Sequence, residues 1–363
     1  MDRRSFLGGS LALAPASALA RARPLRVTLL GQALIEHSPT DAEWPGRKAL
    51  ARRLARADAV FTDLETVIKG PRAQAPTREA LTLHAADPTV LAALQGVGVN
   101  LVATANNHAF DLGAGGVLDT VWAVSEAGMA FAGSGPDLTH AAAPGYRQTA
   151  AGKVALVAFA TGKIREGGAA TVTRPGVNEL RRDVFGAPKA DDLARVLDAV
   201  AEARGHADVV IVCHHDHDWE PDMGQVPDWQ RALARRCVDV GASVFAGHGA
   251  PVLQGVERYR GAPLFYGLGN FVFQTEKPVG AYPPPAWRGA IAECEFANGR
   301  CVQARLAPIV LNETGLGGPQ DLATRGLPRL AGHEEGQVVL RDLRSRSLAL
   351  GARLTMTGDE ARF

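Results

Sequence analysis

Cysteine is scarce in this chain of 363 residues: there are 4, and no two stand in a Cys-x-x-Cys spacing, so the spacing gives no support to a cysteine-built metal site. Charge of one sign is lacking as well. With 39 basic and 38 acidic residues, the chain has no electrostatic surplus that would point to nucleic acid or to a strongly acidic partner. Past residue 20 no apolar window reaches the length of a membrane-spanning helix. No internal repeat is visible. Glycine, in contrast, is plentiful at 40, and together with recurring apolar runs it fits many turns between short elements.

The N-terminus carries an export pattern. Arg3, Arg4, Ser5, Phe6 and Leu7 open a weakly hydrophobic stretch rich in Gly and Ala, which ends at the small-x-small triplet Ala18, Leu19, Ala20. This is the layout of a twin-arginine signal over residues 1–23. The expectation is a mature chain starting near Arg21 that works in the periplasm or outside the cell. Membrane contact is then expected only through an uncleaved signal. In an oxidising compartment the cysteines matter. Cys294 and Cys301 flank Asn298 and Gly299, a hairpin turn signal. A two-residue loop there sets Phe296 opposite Cys301, so a direct bridge to Cys294 requires a shifted register. Cys213, in an apolar strand pattern, and Cys237, in a helical one, read as buried thiols.

Apolar runs at 25–30, 58–62, 97–103, 154–160, 209–213 and 243–246 read as strands. Between them, 46–57, 88–96, 115–127, 190–204 and 229–240 have helical spacing. Such alternation predicts α/β layers around a sheet, with ligands at the carboxyl ends of strands. A β-rich end follows, with a hairpin at 290–306. The proline-bearing loop 275–288 is placed where it could overhang the site. The predicted organisation is one main domain over 24–311 and a C-terminal appendage of open role over 312–363.

Three polar clusters sit just past strand ends: Asn106, Asn107, His108 and Asp111; the run from His214 to Glu220; and Gly247 with His248. These clusters, with Asp63, Leu64 and Glu65, with Gly133, Ser134 and Gly135, and with the run from Phe265 to Phe271, resemble the bacterial capsule-synthesis CapA family. The resemblance covers about 27–273. It implies a layered α/β/α sandwich of the metallo-dependent phosphatase type and a role in making a cell-envelope polymer such as poly-γ-glutamate. It also implies a two-cation site, from which this chain departs. Gln32 stands where the family has an Asp, Asp63 where an Asn is common, and Gly249, Ala250 and Pro251 where two further histidines are expected.

By that resemblance one cation set is lost and the other kept: Asp63 or Glu65, Asn107, His214 and His248. Imidazole, amide and carboxylate ligands suit zinc, manganese or iron, and a metal-free pocket is the alternative. His108 is the candidate general acid and Asp111 the group that orients it. His215, Asp216, His217 and Asp218 form a polar loop that either replaces missing ligands or is simply solvated. His37 is a candidate substitute for the Asp lost at Gln32. Asn270 reads as fixing a turn, and Trp219 and Glu220 as pocket-lining or core. His84, His140, His206 and His333 read as surface residues. The leading expectation is an exported hydrolase, single-metal or metal-optional, acting on an anionic envelope polymer or peptide. A metal-independent acid/base enzyme (an epimerase or amidase) and a non-catalytic polymer-binding scaffold, with Arg181–Arg182, Arg235–Arg236 and 341–346 as possible carboxylate contacts, are the alternatives.

Overall fold

Each strongly apolar run in the sequence becomes a strand, and in the computed structural model, which describes residues 23–218 and 221–363, the strands gather into two large sheets. The export pattern and Trp219 and Glu220 lie outside the described residues. The ten-stranded sheet has Leu25–Leu34 at its centre. Ala59–Leu64, Leu101–Ala103 and Ala130–Ala132 extend it in parallel on one side. The antiparallel pair Arg288–Ala297 and Arg300–Leu311 extends it on the other. The six-stranded sheet is built on parallel Gly152–Thr161, Val209–Asp216, Val244–His248 and Ala262–Phe265.

The two sheets face each other. Val27, Leu29 and Phe61 of the first share one core with Leu156, Ile211 and Val244 of the second. Because side chains alternate along a strand, the other faces need cover as well. Helices Arg47–Leu54, Thr89–Gly96 and Gly113–Glu126 cover the first sheet, and Ala190–His206 and Asp228–Asp239 cover the second. In Ala190–His206 the buried positions Leu193, Val196, Val200 and Ala203 recur at helical spacing, which is why that segment lies flat on the sheet. The layered α/β sandwich expected from the sequence is therefore the one found, with a double sheet as its inner layer.

Two expectations are corrected in shape. The segment after Asn312, read as an appendage, is built into the first sheet. Pro328–Leu330 pairs with Arg300–Leu311, Glu360–Arg362 adds a further edge, and Val339, Leu340 and Leu343 of helix His333–Ala349 enter the core between the sheets. The loop 275–288 does not project freely: Tyr282 and Trp287 pack on Phe273 at centroid distances of 4.8 and 5.3 Å. Trp287 belongs to the helix-facing core of the first sheet. At the hairpin Phe296 does face Cys301, and a bulge then pairs Cys294 with Ala304; all four cysteines are free thiols. No described helix is long and apolar enough to cross a membrane.

Candidate active site

Parallel strands from both sheets end at the same edge of the sandwich, and their carboxyl ends deliver the polar clusters to one cleft floor. Two close approaches make this possible. A Cβ on Gly31 would lie 2.2 Å from the Gly269 carbonyl oxygen, so only glycine lets the first strand pass that segment. Gly249 has φ +102, and a Cβ there would meet the Asp216 carbonyl oxygen at 2.0 Å. Its N–H is also held, at 2.7 Å, by the buried side chain of Gln32, which ties one sheet to the other. Gln32 thus has a structural task at the position where the family has an Asp, and His37 is exposed and joins no metal-ligating group among the described residues.

Strand parity decides which histidines enter the cleft. Val209, Ile211 and Cys213 face the core between the sheets, and His215 continues that face; Val210 and Val212 face the helices, and His214 continues theirs. The expected ligand His214 is therefore turned away from the site. Its Nε2 lies 2.9 Å from Thr161 Oγ1, Gln230 Nε2 donates to its Nδ1 at 3.3 Å, and its ring stacks on Phe159 at 4.7 Å. Burial drives its pKa down to about 3, which suits a neutral core histidine.

His215 occupies the place assigned to His214. Its Nδ1 sits 2.6 Å from Asp63 Oδ2, and its Nε2 is 2.8 Å from Asn107 Oδ1 and 3.6 Å from Glu65 Oε1. Burial opposes charge on this ring, but Asp63 outweighs it and the pKa is raised. Asp63 itself takes a bond from Asn106 Nδ2 at 3.2 Å, so it stands behind His215 and Glu65 stands in front. His217 Nε2 approaches Glu65 Oε1 at 4.0 Å. Ligand atoms of Glu65, His215 and His217 all lie within 4.8 Å of one another, a grouping able to hold a metal ion. The flanking members of the polar loop divide their duties: Asp218 pairs with Arg182 at 3.1 Å, and burial raises the Asp216 pKa to about 7.

The site contains buried polar atoms without partners. Glu65 Oε2 and both ring nitrogens of His248 make no hydrogen bond among the described residues, although His248 is only 3% exposed. Such orphans are costly and call for an explanation; a cation held between carboxylate and imidazoles provides one. Burial, with the neighbouring Asp63 charge adding to it and His215 acting against it, raises the Glu65 pKa to about 7, and burial lowers that of His248 to about 4. A positive ion would favour the ionised carboxylate and the neutral imidazole, the forms in which both groups act as ligands. The donor set and its orphans fit a divalent ion.

Beside this group lies the expected dyad. His108 Nδ1 is 2.8 Å from Asp111 Oδ2, and His108 Nε2 points toward Glu65 Oε1 at 4.0 Å. Asp111 is fully buried and also accepts from Arg78 Nε at 2.5 Å and from the His84 backbone N–H at 3.1 Å. Burial still holds its pKa up at about 6, and burial, followed by His84 and Arg78, pushes that of His108 well below its usual value. His84, read from sequence as a surface residue, is 5% exposed and packs edge-on against His108 at 4.4 Å. Its signal was absent because the segment that carries it has neither clear period nor motif. His140, His206 and His333 are exposed, as expected. Asn270 fixes the chain by donating to the carbonyls of Pro251 and Ala286.

Residues 26–275 match the model of the family described as bacterial capsule synthesis protein PGA_cap. An uncharacterized protein of Sinorhizobium fredii is 28% identical, with 90% of each chain covered. The capsule biosynthesis protein CapA of Bacillus anthracis is 34% identical over 53% of this chain and 44% of its own length. A probable polyglutamine synthesis accessory protein of Mycobacterium tuberculosis is 33% identical over 66% of this chain and 62% of its own. Among solved structures, NAD nucleotidase of Haemophilus influenzae has a TM-score of 0.45 at 10% identity, over 89% of this chain and 62% of that one.

Proposed function

The chain belongs to the bacterial capsule synthesis protein family, and from that premise we propose that it is an exported hydrolase. Its substrate would be an anionic cell-envelope polymer or a peptide precursor of one, cleaved at a site that holds a divalent cation. The observation that carries the reading is the juxtaposition of Glu65, His215 and His217 with the unpartnered atoms of Glu65 and His248. Those four residues would hold the ion. When bound, a zinc, manganese or iron ion would lower the pKa of a coordinated water and neutralise substrate charge.

The remaining work falls to the chain's own groups. Asp63, bonded to His215 Nδ1, fixes that ring so that Nε2 faces Glu65. Asp111 holds His108 through Nδ1, which leaves Nε2 as the working nitrogen. With its pKa depressed by burial, the His108 ring is set first to take a proton and then to return it to a leaving group. Export rests on the Arg3–Arg4 pattern, and the polymer on what relatives such as the Bacillus protein are named for.

The test is a metal analysis of protein purified from its native compartment, run beside assays with γ-glutamyl-p-nitroanilide and p-nitrophenyl phosphate. A bound divalent ion, with turnover of either probe that is lost on chelation and in His215→Ala, is the expected result. Protein that carries no metal in that compartment sinks the cation-dependent reading. Turnover that survives chelation and is lost in His108→Ala would shift the assignment to metal-independent acid/base chemistry by Glu65 and His108.

A further inference from the structure

The hairpin Arg288–Ala297 and Arg300–Leu311 turns at Asn298 and Gly299 and brings two of the cysteines to one face. Phe296 pairs with Cys301 and Cys294 with Ala304, and all four side chains are buried in the core between the sheets. Cys294 and Cys301 are therefore diagonal neighbours on that face, a relation that lets side chains reach each other. Their thiols do meet: the Cys294 S–H donates to the Cys301 sulfur. Val302 has no partner in the register beside them, so a bulge interrupts the ladder next to Cys301.

The two thiols have unequal surroundings. Cys301 Sγ lies 3.3 Å from the Gln303 carbonyl oxygen and beside the Arg258 guanidinium. The bond from Cys294 lowers the Cys301 pKa, Arg258 adds to that, and burial opposes it. The same bond, followed by burial, pushes the Cys294 thiol up. A sulfur next to a cation and a donor is the one that attacks, and its partner stays a thiol until it is needed. The pair is also within reach of a reagent: Cys294 lines a hollow of about 230 Å³ that opens to solvent between Thr28, Glu293 and Arg305. Cys213 and Cys237 are fully buried.

We propose that Cys294 and Cys301 are a dithiol site that an organic disulfide converts to an intramolecular disulfide, stapling the hairpin at the edge of the sandwich away from the cleft. In the first step the Cys301 thiolate attacks one sulfur of the reagent disulfide and expels the other as a thiolate, which takes up a proton. Cys294 then loses its proton to solvent, and its sulfur attacks Cys301 in the mixed disulfide and expels the second reagent thiol. Two cysteine thiols are oxidised and one disulfide is reduced to two thiols. None of these groups belongs to the cleft, so the inference stands apart from the hydrolytic reading.

Folded full-length protein, fully reduced at the start, is equilibrated with excess glutathione disulfide, freed of reagent, then denatured and alkylated. The expected intact protein has lost two hydrogens and two of its 4 alkylatable thiols, and peptide mapping joins the segments that carry Cys294 and Cys301. Dithiothreitol is expected to restore all 4. Cys294→Ser removes the resolving thiol and is expected to trap glutathione on Cys301, with Cys213 and Cys237 still alkylatable. The wild-type arm needs no variant to fold. Wild-type protein that keeps every thiol under excess glutathione disulfide would overturn the proposal. So would glutathione retained on Cys301 with Cys294 still free, or a bridge that maps between two chains.

Discussion

Asp63 Oδ2 lies 2.6 Å from His215 Nδ1, and that one contact turns a strand-end histidine into an oriented donor whose Nε2 faces Glu65 at 3.6 Å. Both side chains are fully buried, so their geometry is held by the two sheets and not by solvent. A carboxylate behind an imidazole is a common way to fix ring orientation and strengthen a metal ligand. On that basis, Asp63→Asn is expected to weaken divalent-cation affinity about 10- to 100-fold while the fold is kept. Competition titration with a chelating dye would measure it, and an unchanged affinity would argue that Asp63 serves only folding.

The adjacent histidines His214 and His215 should separate cleanly. His215→Ala is expected to abolish metal retention. His214→Ala is expected to leave metal content intact and to cost about 2 kcal/mol of stability, because it opens a cavity beside Phe159 and strands the Gln230 amide, while Thr161 keeps its bond to the Leu180 carbonyl. Metal content and chemical denaturation on the two variants would check this pair of outcomes; the reverse pattern would mean that the opposite strand face builds the site.

Gly249 is expected to tolerate no side chain. A Cβ there meets the Asp216 carbonyl oxygen at 2.0 Å in a left-handed backbone, next to the N–H that Gln32 accepts. Gly249→Ala should cost more than about 1 kcal/mol, and Gln32→Ala should destabilise through loss of the same inter-sheet bond. Thermal melts of both variants decide it, and two wild-type melting temperatures would refute the latch.

Acid stability should depend on Asp192. Burial on its own would raise this carboxyl, but bonds from Arg181 at 2.7 and 2.8 Å and from Arg195 at 2.8 Å hold its pKa down to about 2. A pKa lower in the folded than in the unfolded chain means the folded state favours the ionised form. The contribution is therefore complete above about pH 4 and is lost as pH falls from there to about 2. Asp192→Asn should be less stable than wild type at neutral pH and equal to it near pH 2. Denaturant midpoints across that window would test the convergence, and a gap that stays constant down to pH 2 would speak against it.

Much of the site was legible because its residues follow apolar runs in an α/β alternation. The sequence reading of Asn107, His108, Asp111 and His248 leads directly to the cleft, since a polar group just past a parallel strand has few other places to be. Glu65 was equally visible. Other members were not. His84 and Arg78 arrive on an irregular stretch whose position is set by contacts 27 to 33 residues away, such as the bonds of both to Asp111. The C-terminal helix was underestimated for a related reason: Val339, Leu340 and Leu343 form a short apolar stripe whose partner is a cleft between two sheets that only the assembled chain provides.

By itself, the sequence determined the alternation of strands and helices and the strand ends that carry polar residues, because period and composition are local properties. Tertiary structure alone decided between His214 and His215. Successive side chains on a strand point to opposite faces, and which face is the cleft depends on where the second sheet packs. The same packing set Asp63 against His215, gave Gln32 a backbone to hold, and buried His84 against His108.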